Sequence, residues 1–220
     1  MLGQLKGHRR DAESAEITQR HNKAVHEKTR STKKHEITGT VTSEARSNPY
    51  NHGLYQDLMG SREIEIEVVS RLEAGEILCS PDSCAEIMYL VSIGDGDDAL
   101  PHGYENVDQK MRLLIADVVT EEGATEEDVQ RIIQLGEQLQ SYDVNVGKVL
   151  IHCEAGVSRS TATALIIYAC WLGPGREHEA MERVIAQRPC AIPNRRMVKL
   201  ADDLLQLGGR LVQARDDLSF

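Results

Sequence analysis

The sequence predicts a single α/β domain: a central, mainly parallel sheet of four to five strands flanked by helices, preceded by a poorly ordered N-terminal extension. Three observations predict it. From Met59 onward, apolar runs of strand length alternate with longer segments of helical period. Several of these runs close on glycine, aspartate or a polar loop. Residues 1–58, by contrast, are polar and histidine-rich with almost no apolar periodicity, and end in the turn-forming cluster SNPYNHG at 47–53. Alternating strands and helices imply a parallel sheet covered on both faces.

EIEIEVV (63–69) alternates with period two, the pattern of a half-buried strand. EIMYLVSI (86–93) is a continuous apolar run closed by GDGDD, and MRLLIADVV (111–119) is another. In TEEDVQRIIQLGEQLQ (125–140) Thr125 is placed to cap a helix, acids fill its first turn, and Val129, Ile132, Ile133, Gly136 and Leu139 recur at helical spacing. GKVLIHC (147–153) reads as a short buried strand and TATALIIYACWL (161–172) as an apolar helix. PNRRMVKLADDLLQLGG (193–209) carries Met197, Leu200, Ala201, Leu204 and Leu205 on one face and ends on Gly208 and Gly209. The division is therefore an extension over 1–58 and a domain over 59–220.

Charge is uneven. The extension holds ten Lys/Arg against seven Asp/Glu, which leaves residues 59–220 at net −13. A domain that acidic argues against nucleic-acid or anionic-membrane partners. The extension reads as a solvated tail or a basic docking arm. The N-terminus lacks the apolar core of a signal peptide, no run reaches membrane-spanning length, and the five cysteines form no C-x2-C pair. These features predict a cytoplasmic protein with free thiols.

Between the strand ending at His152 and the helix beginning near Ser158 lies CEAGVSR, residues 153–159. Ligands of open α/β sheets bind at the carboxyl ends of strands, where helix N-termini present N–H groups. A seven-residue wrap there can aim successive N–H groups inward as an anion nest, with Gly156 free to take angles a side chain resists. Arg159 can fold over the same hollow with a planar fork suited to phosphate oxygens. Cys153 then sits at its floor, where N–H groups and guanidinium can lower a thiol pKa from about 8.5 to below neutral. Spacing alone is weak, because Cys170 and Cys190 also precede an arginine by six positions. Neither has the strand, glycine and helix around it, so both read as packing cysteines.

HCEAGVSRST strongly resembles the signature of cysteine-dependent protein phosphatases, H-C-x2-G-x2-R-[S/T]. PNRRMVKLADDLL resembles the helix that often follows in their compact, dual-specificity-like branch, and the nearest likeness is to bacterial predicted tyrosine phosphatases. The resemblance covers residues 60–212 and leaves the extension untouched. It implies that Cys153 attacks phosphorus to give a phosphocysteine, without metal or cofactor. Glu154, Ala155, Gly156, Val157, Ser158 and Arg159 would form the phosphate loop, with Arg159 binding transition-state charge. It further implies that His152 helps keep the thiol acidic, that Ser160 assists departure of the thiolate, and that Asn194 braces the loop.

The same likeness requires a general acid from the loop after the preceding strand. Asp117, 36 residues before Cys153, matches by topology, with Glu121 and Glu122 as rivals. The resemblance puts phosphotyrosine first among phosphoprotein substrates, but no W-P-D triplet or phosphotyrosine-clamping N-R-Y segment is present, so phosphoserine and phosphothreonine stay open. A phosphate-binding module without turnover and a phosphatase of small metabolites are the alternatives. Arg195 and Arg196 are either rim or solvated residues, and Cys79 or Cys84 either packs in the core or protects an oxidised Cys153.

Overall fold

The computed structural model describes residues 64–141 and 147–217. The expected extension over 1–58 lies outside the described residues, as does the domain's expected start at Met59. The strands are β1 (Glu65–Ser70), β2 (Ile87–Gly94), β3 (Lys110–Leu114) and β4 (Lys148–Cys153). They form one sheet in the order β1-β4-β2-β3, and every neighbouring pair is parallel. The run 111–119 is cut short relative to expectation. β3 is an edge strand whose one neighbour, β2, ends at Gly94; the Ile115 N–H still reaches the Gly94 carbonyl at 2.9 Å, and beyond it the chain turns away unpaired.

Seven α-helices occur among the described residues: α1 (Arg71–Cys79), α2 (Pro81–Ala85), α3 (Glu126–Ser141), α4 (Arg159–Leu172), α5 (Glu177–Gln187), α6 (Arg195–Leu204) and α7 (Arg210–Asp216), with a 3-10 turn at Tyr104–Asn106. α3 begins as its sequence implies: Thr125 Oγ1 accepts from the Asp128 N–H at 3.2 Å while the Asp128 carboxylate accepts from the Thr125 N–H at 3.0 Å. The segment 193–209 is not one helix. It breaks at Leu204, and Gly209, in the left-handed region, opens α7. The buried Asp202 carboxylate of α6 accepts from the N–H groups of Gly209, Leu211 and Val212 at 2.6, 2.7 and 3.3 Å.

Strand alternation sorts the side chains into two layers. Ile66, Val68, Tyr89, Val91, Ile93, Val149, Ile151 and Cys153 face the larger core, which also holds apolar residues from α3 through α7. Val69, Leu90 and Leu150 face a smaller one with Ala74 and Leu78 of α1 and Val107. α4 packs on β4 and β1 and is surrounded by α3, α5 and α6. It is buried almost all round, as its apolar sequence demands. No helix among the described residues is long and apolar enough to cross a membrane.

Candidate active site

The β4–α4 connection lies at the carboxyl end of the sheet, in contact with the end of β1. Gly156 takes φ +71°, and a Cβ there would stand 2.6 Å from the Val69 carbonyl carbon and the Ser70 nitrogen. Only glycine lets the loop wrap this close to β1. On the outer side Glu154 is held by Arg71, whose Nε and Nη2 donate to its carboxylate at 2.7 and 3.1 Å. The Arg71 N–H also donates to the Glu154 carbonyl at 3.2 Å, so the first turn of α1 is docked on the loop.

Cys153 is 1% exposed, with Sγ 3.2 Å from Ser160 Oγ. Burial is the largest single influence on this thiol and pushes its pKa up. The Ser160 hydroxyl and the N–H groups of Ser160, Gly156 and Val157 together outweigh it, and the pKa lies below that of an ordinary cysteine. The sequence reading drew the acidity from loop amides and Arg159; here the influences that lower the pKa come from loop amides and Ser160.

Arg159 is buried at the start of α4. Its Nη1 donates to Asp95 Oδ1 at 3.0 Å and to the Ile115 carbonyl at 2.8 Å, and Asp98 lies 4.0 Å away. Its Nε has no hydrogen-bond partner among the described residues, and the nearest acidic atom is Asp117 Oδ2 at 3.6 Å. A buried guanidinium N–H without an acceptor costs free energy that a phosphate oxygen there would recover. Asp95 was not foreseen from the sequence. The signal available was GDGDD at the carboxyl end of a strand, the end at which such sheets bind ligands.

Asp117 is brought to the loop. Its Oδ1 accepts from Ser158 Oγ at 2.6 Å and from Asn194 Nδ2 at 3.0 Å. Asn194 also donates to the Val118 carbonyl at 3.2 Å, while its Oδ1 caps α6 through the N–H groups of Arg196 and Met197 at 3.1 and 3.2 Å. With its own N–H on the Ser158 carbonyl at 3.1 Å, one asparagine therefore ties the 117–118 loop, the 153–159 loop and α6 together. Glu121 and Glu122 are exposed on the following turn.

Three solved phosphatases are similar to this chain. Human DUSP28 is 17% identical, with 66% of this chain and 91% of that one covered and a TM-score of 0.48. For DUSP15 the figures are 20%, 73%, 97% and 0.49. For the Yvh1 phosphatase domain of Chaetomium thermophilum they are 19%, 68%, 95% and 0.49. No protein-family model matches the chain, and neither does any curated protein.

Other sequence expectations are corrected. His152 follows β4 alternation onto the face opposite Cys153, beside Ser92 of β2, whose hydroxyl accepts from Arg112 Nη1 at 2.8 Å. Burial, helped by the charges of Arg112 and Arg71, lowers its pKa to about 4, so the imidazole is neutral and supplies no positive charge to the thiolate. Cys84 cannot pair with Cys153. α2 leads into Ile87, whose register partner Lys148 begins β4, so Cys84 lies about 17 Å down the sheet from the cysteine (five residues at ~3.3 Å). A disulfide needs Cα atoms within about 7 Å. Cys190 is exposed, whereas Cys170 packs against the larger core, its thiol pushed up to about 12 by burial, and Cys84 packs against the smaller one. Arg195 is exposed, in keeping with its solvated reading, and pairs with Asp216 at 2.9 Å, while Arg196 Nε donates to the Ala124 carbonyl at 2.6 Å and ties α6 to the segment before α3.

Proposed function

We propose that the protein hydrolyses phosphomonoesters on phosphoproteins, phosphotyrosine first, through a phosphocysteine intermediate. The observation that carries this reading is the convergence of an acidic buried thiol and a carboxylate on one loop: Cys153 on its floor, Asp117 bound to Ser158 at its rim. The Cys153 thiolate attacks phosphorus in line. The P–O bond to the leaving group breaks, and a protonated Asp117 gives its proton to the departing oxygen. Loop N–H groups and Arg159 bind the equatorial oxygens, where charge is stabilised in the transition state. Asp117, now a carboxylate, takes a proton from the attacking water in the second step, and the Ser160 hydroxyl donates to the departing thiolate.

The unpartnered Nε of Arg159 supports the phosphate position, and the place of Asp117 favours it over Glu121 and Glu122 as the acid. The test is turnover of an aryl phosphate and of matched phosphotyrosine, phosphoserine and phosphothreonine peptides in the presence of chelator. Cys153→Ser is expected to abolish turnover, and Asp117→Asn to lower kcat by about 10²-fold or more, most strongly for poor leaving groups. Undiminished turnover by Cys153→Ser sinks the mechanism. Tungstate binding without phosphate release would instead make the chain a phosphate-binding module.

A further inference from the structure

The nest around Cys153 depends on which way its peptide groups face, and the carbonyls can be accounted for one by one. The Glu154 carbonyl accepts from the Arg71 N–H. The Val157 carbonyl accepts from the Ile192 N–H at 2.9 Å and from Thr161 Oγ1 at 2.5 Å. That of Ser158 accepts from the Asn194 N–H at 3.1 Å. The two in the middle, Ala155 and Gly156, are both taken by one side chain: Arg188 Nε donates to Gly156 at 3.2 Å and Nη2 to Ala155 at 3.4 Å.

A trans peptide is planar, with its C=O and N–H pointing opposite ways. The Ala155 carbonyl shares a plane with the Gly156 N–H, and the Gly156 carbonyl with the Val157 N–H. Both N–H groups are among those that lower the pKa of the Cys153 thiol by hydrogen bonding. Arg188 is itself fixed, because Nη1 and Nη2 donate to the two oxygens of Glu73 at 3.0 Å each. Glu73 in turn accepts from the Ser70 N–H at 2.7 Å, within the capping box of α1.

We propose that Arg188, anchored by Glu73, is a positioning residue that holds the 155–156 and 156–157 peptides with their carbonyls outward and so keeps the Gly156 and Val157 N–H groups on the Cys153 sulfur. Glycine at 156 makes such a device necessary, since both peptides flanking it can rotate with little steric resistance. This deepens the proposed function, on which it rests for Cys153 being the reactive atom.

The test follows the pH dependence of iodoacetamide alkylation in the full chain, with mass spectrometry isolating the peptide that contains Cys153. Arg188→Gln is expected to move the alkylation midpoint up by about one pH unit, roughly a tenfold loss of thiolate below both midpoints. Arg188→Lys, with no fork to span two carbonyls, should fall between it and the unaltered protein. Glu73→Gln gives the sharpest outcome. Removing a nearby negative charge would by Coulomb's law lower the midpoint, whereas a slackened Arg188 raises it. A raised midpoint in Glu73→Gln supports the proposal, and a lowered or unchanged one overturns it. If Arg188→Gln does not fold, the other two variants decide. An acidic thiol without turnover in the unaltered protein would defeat the proposed function alone, and reduced turnover at an unchanged midpoint would defeat this inference alone.

Discussion

Cys153 and His152 are chain neighbours in opposite surroundings. Hydrogen-bond donors gather on the thiol side, while the imidazole is buried with its Nε2 unpartnered among the described residues. Its depressed pKa has a definite sign in stability. Above about 6.5 both folded and unfolded chains hold it neutral; as pH falls towards 4 only the unfolded chain takes up the proton, so stability is lost across that window. The loss amounts to about 3 kcal/mol at about 1.4 kcal/mol per pKa unit. Thermal unfolding between pH 7 and 4 should therefore fall less steeply for His152→Gln than for the unaltered chain. Glu73 acts in a lower window. The Arg188 hydrogen bonds, with those of Ser70, lower its pKa to about 2, so its contribution is present above 4.5 and disappears as pH drops from 4.5 to 2. At this scale Cys153, Arg159, Ser160 and Asp117 were legible because one short motif and a strand–loop–helix order specify them. Arg188 and Asp95 were not, since their partners are 32 and 64 residues distant.

At the scale of elements, the helices foreseen are those with caps or periodicity of their own. α1 could have been found from Ser70 and Glu73, a capping box directly after a strand. α7 could not, because its N-terminal N–H groups are served by Asp202 from another helix. Asp202→Ala should accordingly leave the buried Leu211 N–H without its acceptor and loosen those of Gly209 and Val212, at a cost of about 2 kcal/mol read as a lowered midpoint in urea unfolding. The loop itself tolerates less. In Gly156→Ala the new methyl meets backbone atoms of β1 that cannot rotate away, and its positive φ adds strain. A fall of tenfold or more in kcat/KM is expected, together with a lowered Tm. A fully active Gly156→Ala protein would show that the close approach of loop to β1 is dispensable.

The whole molecule was legible as far as composition and periodicity reach: alternating strands and helices, a parallel sheet and a candidate site at its carboxyl end. Its strand order was not, because parallel pairing is set by how the helices cross over rather than by any pair of residues. Net charge belongs to this scale too. Residues 59–220 are acidic, and the buried Arg159 at the site is already faced by Asp95, Asp98 and Asp117. Encounter with an acidic phosphopeptide should thus speed up as salt screens the repulsion, so kcat/KM should rise with ionic strength for acidic peptides and fall for basic ones. Trp171, the chain's one tryptophan, stands about three turns along α4 from Arg159, edge-on to Tyr168 and donating through Nε1 to the Gly136 carbonyl of α3 at 2.8 Å. Indole emission from the native protein therefore originates at a single seam, and any loosening of the helix that carries the guanidinium becomes visible to a fluorimeter without an added dye.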